Sequence, residues 1–340
     1  MPELRKDPIL GRWVIIATER GKRPTDFNSQ TESHPEGPEN CPFCPGHEEM
    51  TPPEVNSVRP SGSRPDSTGW KLRVIPNKFP ALKIEGQLGR QGLGLYDKMN
   101  GVGAHEVVIE NTDHFKDLDQ RETEENFLVY RAYRERIIDL MRDERFEYML
   151  VFRNYGILAG ASLAHPHSQI IATPIVPKRV IEEMVGTETH YKQKKRCIFC
   201  DIIDQEQMLE ERIVYTSTHF MVVCPFASVH PFEIHIMPLR HQADYTQASD
   251  DELRDLADVM RKVVGKYKKT LGEVHYNYIL HTTPSERAME ESYPYGHAHY
   301  HWHIEMFPRL TRTAGFEWGS GFYINPTPPE DAAGYLKEVE

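Results

Sequence analysis

The pattern that most constrains this chain is a repeated spacing of metal-ligating residues. Cys41-Pro42-Phe43-Cys44 is followed by His114 after a β-rich run, then by His165-Pro166-His167 leading into an apolar strand. Cys197-Ile198-Phe199-Cys200 is followed in the same order by His241 and by His301-Trp302-His303. Glu106-x7-His114 matches Glu233-x7-His241, and each pass carries one long helical pattern between its second and third landmarks. An internal repeat decides the architecture before any single element does. It predicts an α+β fold of two tandem halves of one ancestry, residues 1–178 and 190–340, each an antiparallel sheet with a long helix.

A CxxC pair supplies two ligands of a tetrahedral zinc site and needs two more. The repeat provides them at matched places in both halves, which unrelated histidines would not do. The expected sites are Cys41, Cys44, His114 and His165, and Cys197, Cys200, His241 and His301, with His303 the rival to His301. Closed four-ligand sites leave no position for water or substrate, so both are expected to be structural. The fifth cysteine, Cys224, reads as a small buried apolar residue.

Composition narrows the setting. The chain has 340 residues, enough for a large core, and a formal net charge of −11. Nucleic-acid backbones are repelled on average, and Lys192-Gln193-Lys194-Lys195-Arg196 reads as a solvated basic loop. No apolar run approaches membrane-span length and the first residues lack a signal-peptide core, so a cytoplasmic protein without a membrane partner is expected. In that compartment paired cysteines point to metal rather than to disulfides.

Apolar periodicity places strands near 6–17, 70–75, 105–110 and 148–152, and a helix over 121–145. The second pass gives a helical connector at 180–196, strands at 213–224, 232–237 and 276–281, and a helix over 250–271. That helix is capped by Ser249 or Asp250 and ended by Gly272. Residues 282–298 read as a polar loop. Neither CxxC opens an obvious helix after a strand, which sets both apart from thioredoxin-type motifs.

The chemistry concentrates in 152–174. On an extended backbone His165 and His167 face the same side, about 6–7 Å apart. Pro166 lacks a ladder donor and marks an edge or bulged segment. With His165 tied to a metal, His167 is aimed at the same cleft as a nucleophile for phosphorus, provided that its second ring nitrogen is held by an acceptor. Ser162, the amides of Gly156 to Ser162, Gln169, Arg20 and Arg23 would suit the phosphoryl group.

These motifs, together with Asn77-Lys78-Phe79-Pro80-Ala81-Leu82 and the run from Asp7 to Pro24, resemble the galactose-1-phosphate uridylyltransferase family, a duplicated branch of the histidine-triad superfamily. The resemblance covers nearly the whole chain. It implies two histidine-triad-like halves, His167 as the residue that carries the uridylyl group, and Gln169, Ser162 and Asn154 at the transferred phosphate. It also implies Arg20 and Arg23 facing anionic groups, Asn77 and Phe79 at the nucleoside, a structural first zinc site, and a homodimer acting on a nucleotide-sugar and a hexose 1-phosphate.

The resemblance is weakest near the C-terminus, where the best-known uridylyltransferases carry Lys-Phe-x-x-Gly-x-Glu. Here the stretch runs from Gly315 to Asn325, without a Lys or Arg, and is similar to the ADP-glucose phosphorylases, which transfer AMP to phosphate. Glu317 is the expected sugar contact; the alternative is a Gly-rich turn that packs Trp318 and Phe322 into the core. UMP transfer between UDP-glucose and galactose 1-phosphate and the adenylyl reaction therefore both stand as expectations. A hydrolase is disfavoured by Gln169, because an amide cannot shuttle a proton as a third histidine could. A nucleic-acid-binding zinc module is disfavoured by the charge.

Overall fold

Alternating apolar residues from both halves build one sheet. The computed structural model describes residues 1–21, 23–27 and 37–339, with the Arg20 side chain outside that description. The first half contributes β1 Asn56–Val58, β2 Leu72–Pro76, β3 Ala104–Ile109, β4 Tyr148–Tyr155 and β5 His167–Thr173. The second contributes β6 Ile213–Thr216, β7 Phe220–Val223, β8 Ile234–Pro238, β9 Tyr276–His281 and β10 His303–Pro308. All neighbours are antiparallel, in the order β6-β7-β8-β10-β9-β4-β5-β3-β2-β1.

Each half thus runs inward from its edge in the same sequence of first, second, third, fifth and fourth strand. The two fourth strands join, from Tyr276 opposite Tyr155 to Leu280 opposite Val151. The α+β fold and the duplication are both present, and the two expected sheets are one continuous sheet.

Among the described residues four helices exceed ten residues: α1 Thr123–Leu140, α2 Lys178–Lys194, α3 Ile198–Leu209 and α4 Asp250–Leu271. The bounds of α4 follow from its ends. Ser249 accepts from the Glu252 N–H, the Glu252 side chain returns to the Ser249 N–H, and Gly272 leaves the helix at φ +77°. The buried stripes of α1 (Phe127, Tyr130, Ile137) and α4 (Leu256, Met260, Val264) share one core with Val108, Val151, Ile170 and Ile304 of the sheet. Each such side chain contributes about 1.5–3 kcal/mol by leaving water. The opposite face of the first half is covered near β3 by the CxxC loop, where Cys41, Phe43 and Trp70 pack on Ile75, Val107 and Ile109.

Where the halves join lies a buried ionic group. Arg153 of β4 bonds Glu110 at 3.0 Å and Asp117 at 2.9 Å, and also contacts the Tyr276 hydroxyl of β9. Arg121 bonds Glu110 at 2.5 Å, and Lys268 of α4 reaches Asp117 at 3.0 Å. Burial alone would raise both carboxyls; Arg153 and its neighbouring cations override it and hold Glu110 and Asp117 below their usual range.

Several sequence expectations need correction. Pro166 lies just before β5, and β5 is interior, paired with β3 and β4, rather than an edge or bulge. A proline tolerates that place because it ends the ladder instead of interrupting it. Cys197 caps α3, so the second CxxC opens a helix, but that helix follows α2 and not a strand, and the expected difference from thioredoxin-type motifs holds. Residues 282–298 hold two short helices, Glu286–Ser292 and Gly296–His299. The register also separates Glu106 from Glu233: Glu106 stands opposite Ile170, and the equivalent partner of Met306 is Ile234. A slip of one residue exchanges the faces, so Glu106 turns to Arg136 of α1 while Glu233 accepts from the Val229 and His230 N–H groups.

Among the described residues no helix is long and apolar enough to cross a membrane.

Candidate active site

Strand alternation brings His167 and Gln169 of β5 to the face away from α1 and α4. Ser168, between them, turns the other way, where its hydroxyl accepts from Tyr133 of α1, itself 2.6 Å from Tyr278 of β9. Strand β5 is thereby anchored from behind by both halves. Asn154 of β4 lies two residues past Phe152, which is the partner of Gln169, and so comes beside His167 on the same face. The Asn154 carbonyl accepts from Asn277 of β9 at 2.8 Å, which fixes its amide orientation.

His167 is 6% exposed, and its Nδ1 lies 2.8 Å from the His165 carbonyl oxygen. A carbonyl only accepts, so Nδ1 carries the proton and Nε2 the lone pair. Both imidazoles pack edge-on against Phe43 of the first CxxC. The start of β5 and the first cysteine pair therefore pack as one unit.

Among the described residues two groups of thiols and imidazoles fit a metal ion: Cys41, Cys44, His114 and His165, and Cys197, Cys200, His241 and His301. In the first, Cys44 Sγ lies 3.4 Å from His114 Nδ1 and 3.5 Å from His165 Nδ1. In the second, Cys200 Sγ lies 3.5 Å from His241 Nδ1 and 3.8 Å from His301 Nδ1. Tetrahedral zinc with ordinary bond lengths puts sulfur and nitrogen about 3.5 Å apart. Three of the imidazoles donate Nε2–H to a carbonyl, His165 to Asn111, His241 to His297 and His301 to Pro238, each at 2.9 Å. That arrangement turns Nδ1 inward as a ligand. Burial, then the neighbouring Cys41, push the Cys44 thiol up to about 12, a penalty that a bound cation would reverse.

His303 does not join the second thiol group. It belongs to a third set that the sequence did not disclose, Glu183, His281, His303 and Glu305, which could also hold a metal ion. Sheet register makes this set the counterpart of the first-half site. His303 stands for His167, Glu305 for Gln169, and His281, opposite His303, for Asn154. His303 even repeats the Nδ1 contact, 3.0 Å from the His301 carbonyl. Burial and then His281 lower His303 to about 3, whereas His281 is raised despite burial because Glu183 and Glu305 flank it. Glu183, His303 and Glu305 of the set open on a cavity of about 790 Å³ also lined by Lys6, Arg12 and His235.

Other expected residues are placed as follows. Ser162 is exposed in the loop before His165. The amides of that loop serve mostly its own turn: Ala159 and Ala161 N–H bond Gly156 O, Gly160 N–H bonds Ile157 O, and Leu158 N–H meets His275. Gly156 is required there, at φ +83° with any Cβ 2.1 Å from the His275 ring. An amide cradle spanning 156–162 is therefore not formed.

Phe79 stands 84% exposed, on a turn closed by its own N–H bonding Asn77 Oδ1 at 2.9 Å. Arg23 is exposed, and its backbone N–H bonds Asp26; the Arg20 side chain lies outside the described residues. Glu317 sits in a short helix, Gly315–Ser320, where its oxygens accept from the Ala314 N–H at 2.7 Å and the Ile324 N–H at 3.3 Å. Trp318 is 78% exposed, so the alternative of a turn packing it into the core does not hold.

The comparisons with known proteins bear on this geometry directly. Residues 1–177 match the N-terminal domain of galactose-1-phosphate uridyl transferase, and residues 183–318 match its C-terminal domain. The chain belongs to that family. Among its relatives, ADP-glucose phosphorylase of Arabidopsis thaliana is 38% identical over 99% of this chain and 93% of that protein. Galactose-1-phosphate uridylyltransferase of Thermotoga maritima is 31% identical over 100% and 99%. The solved structure of the Arabidopsis thaliana ADP-glucose phosphorylase with bound ADP-glucose superposes with a TM-score of 0.83, at 34% identity and full coverage of both chains.

Proposed function

We propose that this member of the family is a nucleotidyltransferase that passes a nucleoside monophosphate from an NDP-hexose to a phosphate-bearing acceptor through His167. The observation that carries the reading is the set His167, Gln169 and Asn154 on one sheet face, with the His167 proton held on Nδ1 by the His165 carbonyl. The Nε2 lone pair attacks the α-phosphorus and forms a P–N bond. The bond to the bridging oxygen breaks, and hexose 1-phosphate leaves with the electron pair. In the second step an acceptor phosphate oxygen attacks the same phosphorus, the P–N bond breaks, and Nε2 regains its lone pair. No general base is needed in either direction, which agrees with Gln at position 169.

The first-half site suits this chemistry and its counterpart does not. Where one has Gln169 and Asn154, the other has Glu305 and His281 beside Glu183, and two carboxylates repel a phosphoryl group. The amides of Gln169 and Asn154, the Ser162 hydroxyl, Arg20 and Arg23 are assigned to the phosphates. Asn77 and the exposed Phe79 ring are assigned to the nucleoside. Glu317 is assigned to the sugar: each of its oxygens caps one backbone N–H and keeps a further lone pair for a sugar hydroxyl. Zinc in the two Cys2His2 groups would act structurally: Cys41, Cys44, His114 and His165 would fix the strand that presents His167.

Two readings of the nucleoside stand on separate observations. The uridylyl reaction, UDP-glucose with galactose 1-phosphate, is the one named by the family that matches both halves. The adenylyl reaction, ADP-glucose with phosphate, is favoured by the 38% identity to the phosphorylase and by the absence of Lys and Arg from 315–325. Incubation with each pair, followed by chromatography of the nucleotides, tests the function. Consumption of one donor with release of hexose 1-phosphate is expected, and inertness toward both pairs would overturn the reading.

A further inference from the structure

His105 faces the same side of the sheet as His167 and Gln169, one diagonal step away: it is opposite Ile171, while Gln169 is opposite Val107. The backbone N–H of Ala81 points at its Nδ1 at 3.1 Å, and its Nε2 lies 2.7 Å from Gln169 Oε1. A backbone N–H can only donate, so Nδ1 must carry the lone pair and Nε2 the proton. Nε2–H therefore donates to Gln169, and the acceptor must be the amide oxygen. The amide NH2 of Gln169 is left turned away from His105; among the described residues it has no recorded partner.

The Asn77 amide nitrogen also lies 3.1 Å from His105 Nε2. Asn77 Oδ1 accepts from Phe79 N–H, so two donors face one another there. The opposite tautomer would remove that contact but set Nδ1–H against the Ala81 N–H. The Ala81 N–H is fixed by the backbone, whereas the Asn77 amide can turn on its side chain, so the proton belongs on Nε2.

We infer that His105 is a positioning residue: it orients the Gln169 amide so that NH2, not C=O, meets the transferred phosphate, and ties that orientation to the 77–81 turn. This rests on the nucleotidyl-transfer reading above. The direction matters because a reversed amide would present a carbonyl oxygen to phosphate oxygens, exchanging an attraction for a repulsion. The backbone contact from Asn77 N–H to His105 O, at 2.7 Å, holds the turn and the imidazole together. The turn assigned to the nucleoside and the amide assigned to its phosphate are thus held by one imidazole.

The test compares His105→Phe, which keeps the ring shape without hydrogen-bonding atoms, with His105→Gln, which can still donate to Gln169. The readout is the rate of adduct formation on the protein in a single turnover with excess NDP-glucose, followed by intact mass. His105→Phe should slow the reaction about 10- to 100-fold, the scale for losing one oriented donor at a developing charge. Its melting temperature and metal content should stay near those of the parent, and His105→Gln should recover most of the rate. In a Gln169→Ala background His105→Phe should add less than about threefold, because residues that act through one another are not additive. Parent-like rates for His105→Phe, or full additivity with Gln169→Ala, would overturn the inference. A parent chain that forms no adduct with either UDP-glucose or ADP-glucose would instead overturn the transfer reading, and this inference with it.

Discussion

The Nδ1–H of His167 is bound to the carbonyl oxygen of His165 at 2.8 Å. Since His165 packs in the first thiol–imidazole group, the tautomer of the proposed nucleophile is set by a member of that candidate metal group two positions away. Burial lowers His165 to about 4, keeping it neutral and able to ligate at ordinary pH. Replacing His167 by glycine should remove transfer, by ~10³-fold or more as for other covalent nucleophiles. Metal content and melting temperature should be retained, because the ligands are untouched. Normal turnover by His167→Gly would contradict the assignment.

The two Cys2His2 groups make separable predictions. Cys197→Ser with Cys200→Ser should lower bound zinc by about one equivalent per chain relative to the parent, since each group would hold one ion. The melting temperature should fall, because metal binding to such a group is largely folding free energy. The matching change at Cys41 and Cys44 should also remove about one equivalent and, through His165 and Phe43, should cost activity more than stability alone explains. Inductively coupled plasma analysis beside calorimetry reads both. Unchanged zinc after either change would exclude that group as a metal site.

The cluster around Arg153 predicts a pH-dependent stability defect. Glu110 and Asp117 are held below their unfolded values, so their contribution is present above about pH 4 and lost as pH falls through the folded values. Arg153→Met leaves two buried carboxylates undercompensated and should cost about 3–5 kcal/mol near pH 7. Without the guanidinium those carboxyls protonate more readily, so the defect should shrink toward pH 5 in denaturant melts. A defect independent of pH would mean that lost packing, not charge, dominates.

Phe79 separates binding from folding. An 84% exposed ring contributes little to the core, so Phe79→Ala should change stability by no more than about 0.5 kcal/mol. If the ring stacks on the nucleoside, KM for the NDP-hexose should rise about tenfold or more, as for other base–aromatic contacts. An unchanged KM would assign the ring no part in binding.

What the sequence made legible is what depends on spacing. The cap at Ser249 and the exit at Gly272 delimited α4 in advance, and the repeat paired His114 with Cys44 and His241 with Cys200 across long stretches of chain. It also preferred His301 to His303 as the ligand. What it could not show depends on register and on contacts between halves. Glu106 and Glu233 share a spacing motif yet face opposite sides, a one-residue slip visible only in the ladder. Tyr278 reaches Tyr133, behind Ser168, from the other half. Glu183 joins His281, His303 and Glu305 from three separate elements. The one available signal was that His303 and His281 occupy the repeat positions of His167 and Asn154. His105 left no trace beyond a polar residue at the start of an apolar strand; its partners Ala81 and Gln169 come from the flanking turn and the adjacent strand.

The central claim is that His167 carries the nucleotidyl group. Intact-mass measurement of the protein after exposure to UDP-glucose and, separately, ADP-glucose, with peptide mapping of any product, tests it most directly. The account predicts a nucleoside monophosphate adduct from one donor, located on the His165–Gln169 segment, absent in His167→Gly and discharged by the acceptor. A parent protein that turns over either donor without any adduct, or with the adduct on another residue, would contradict it.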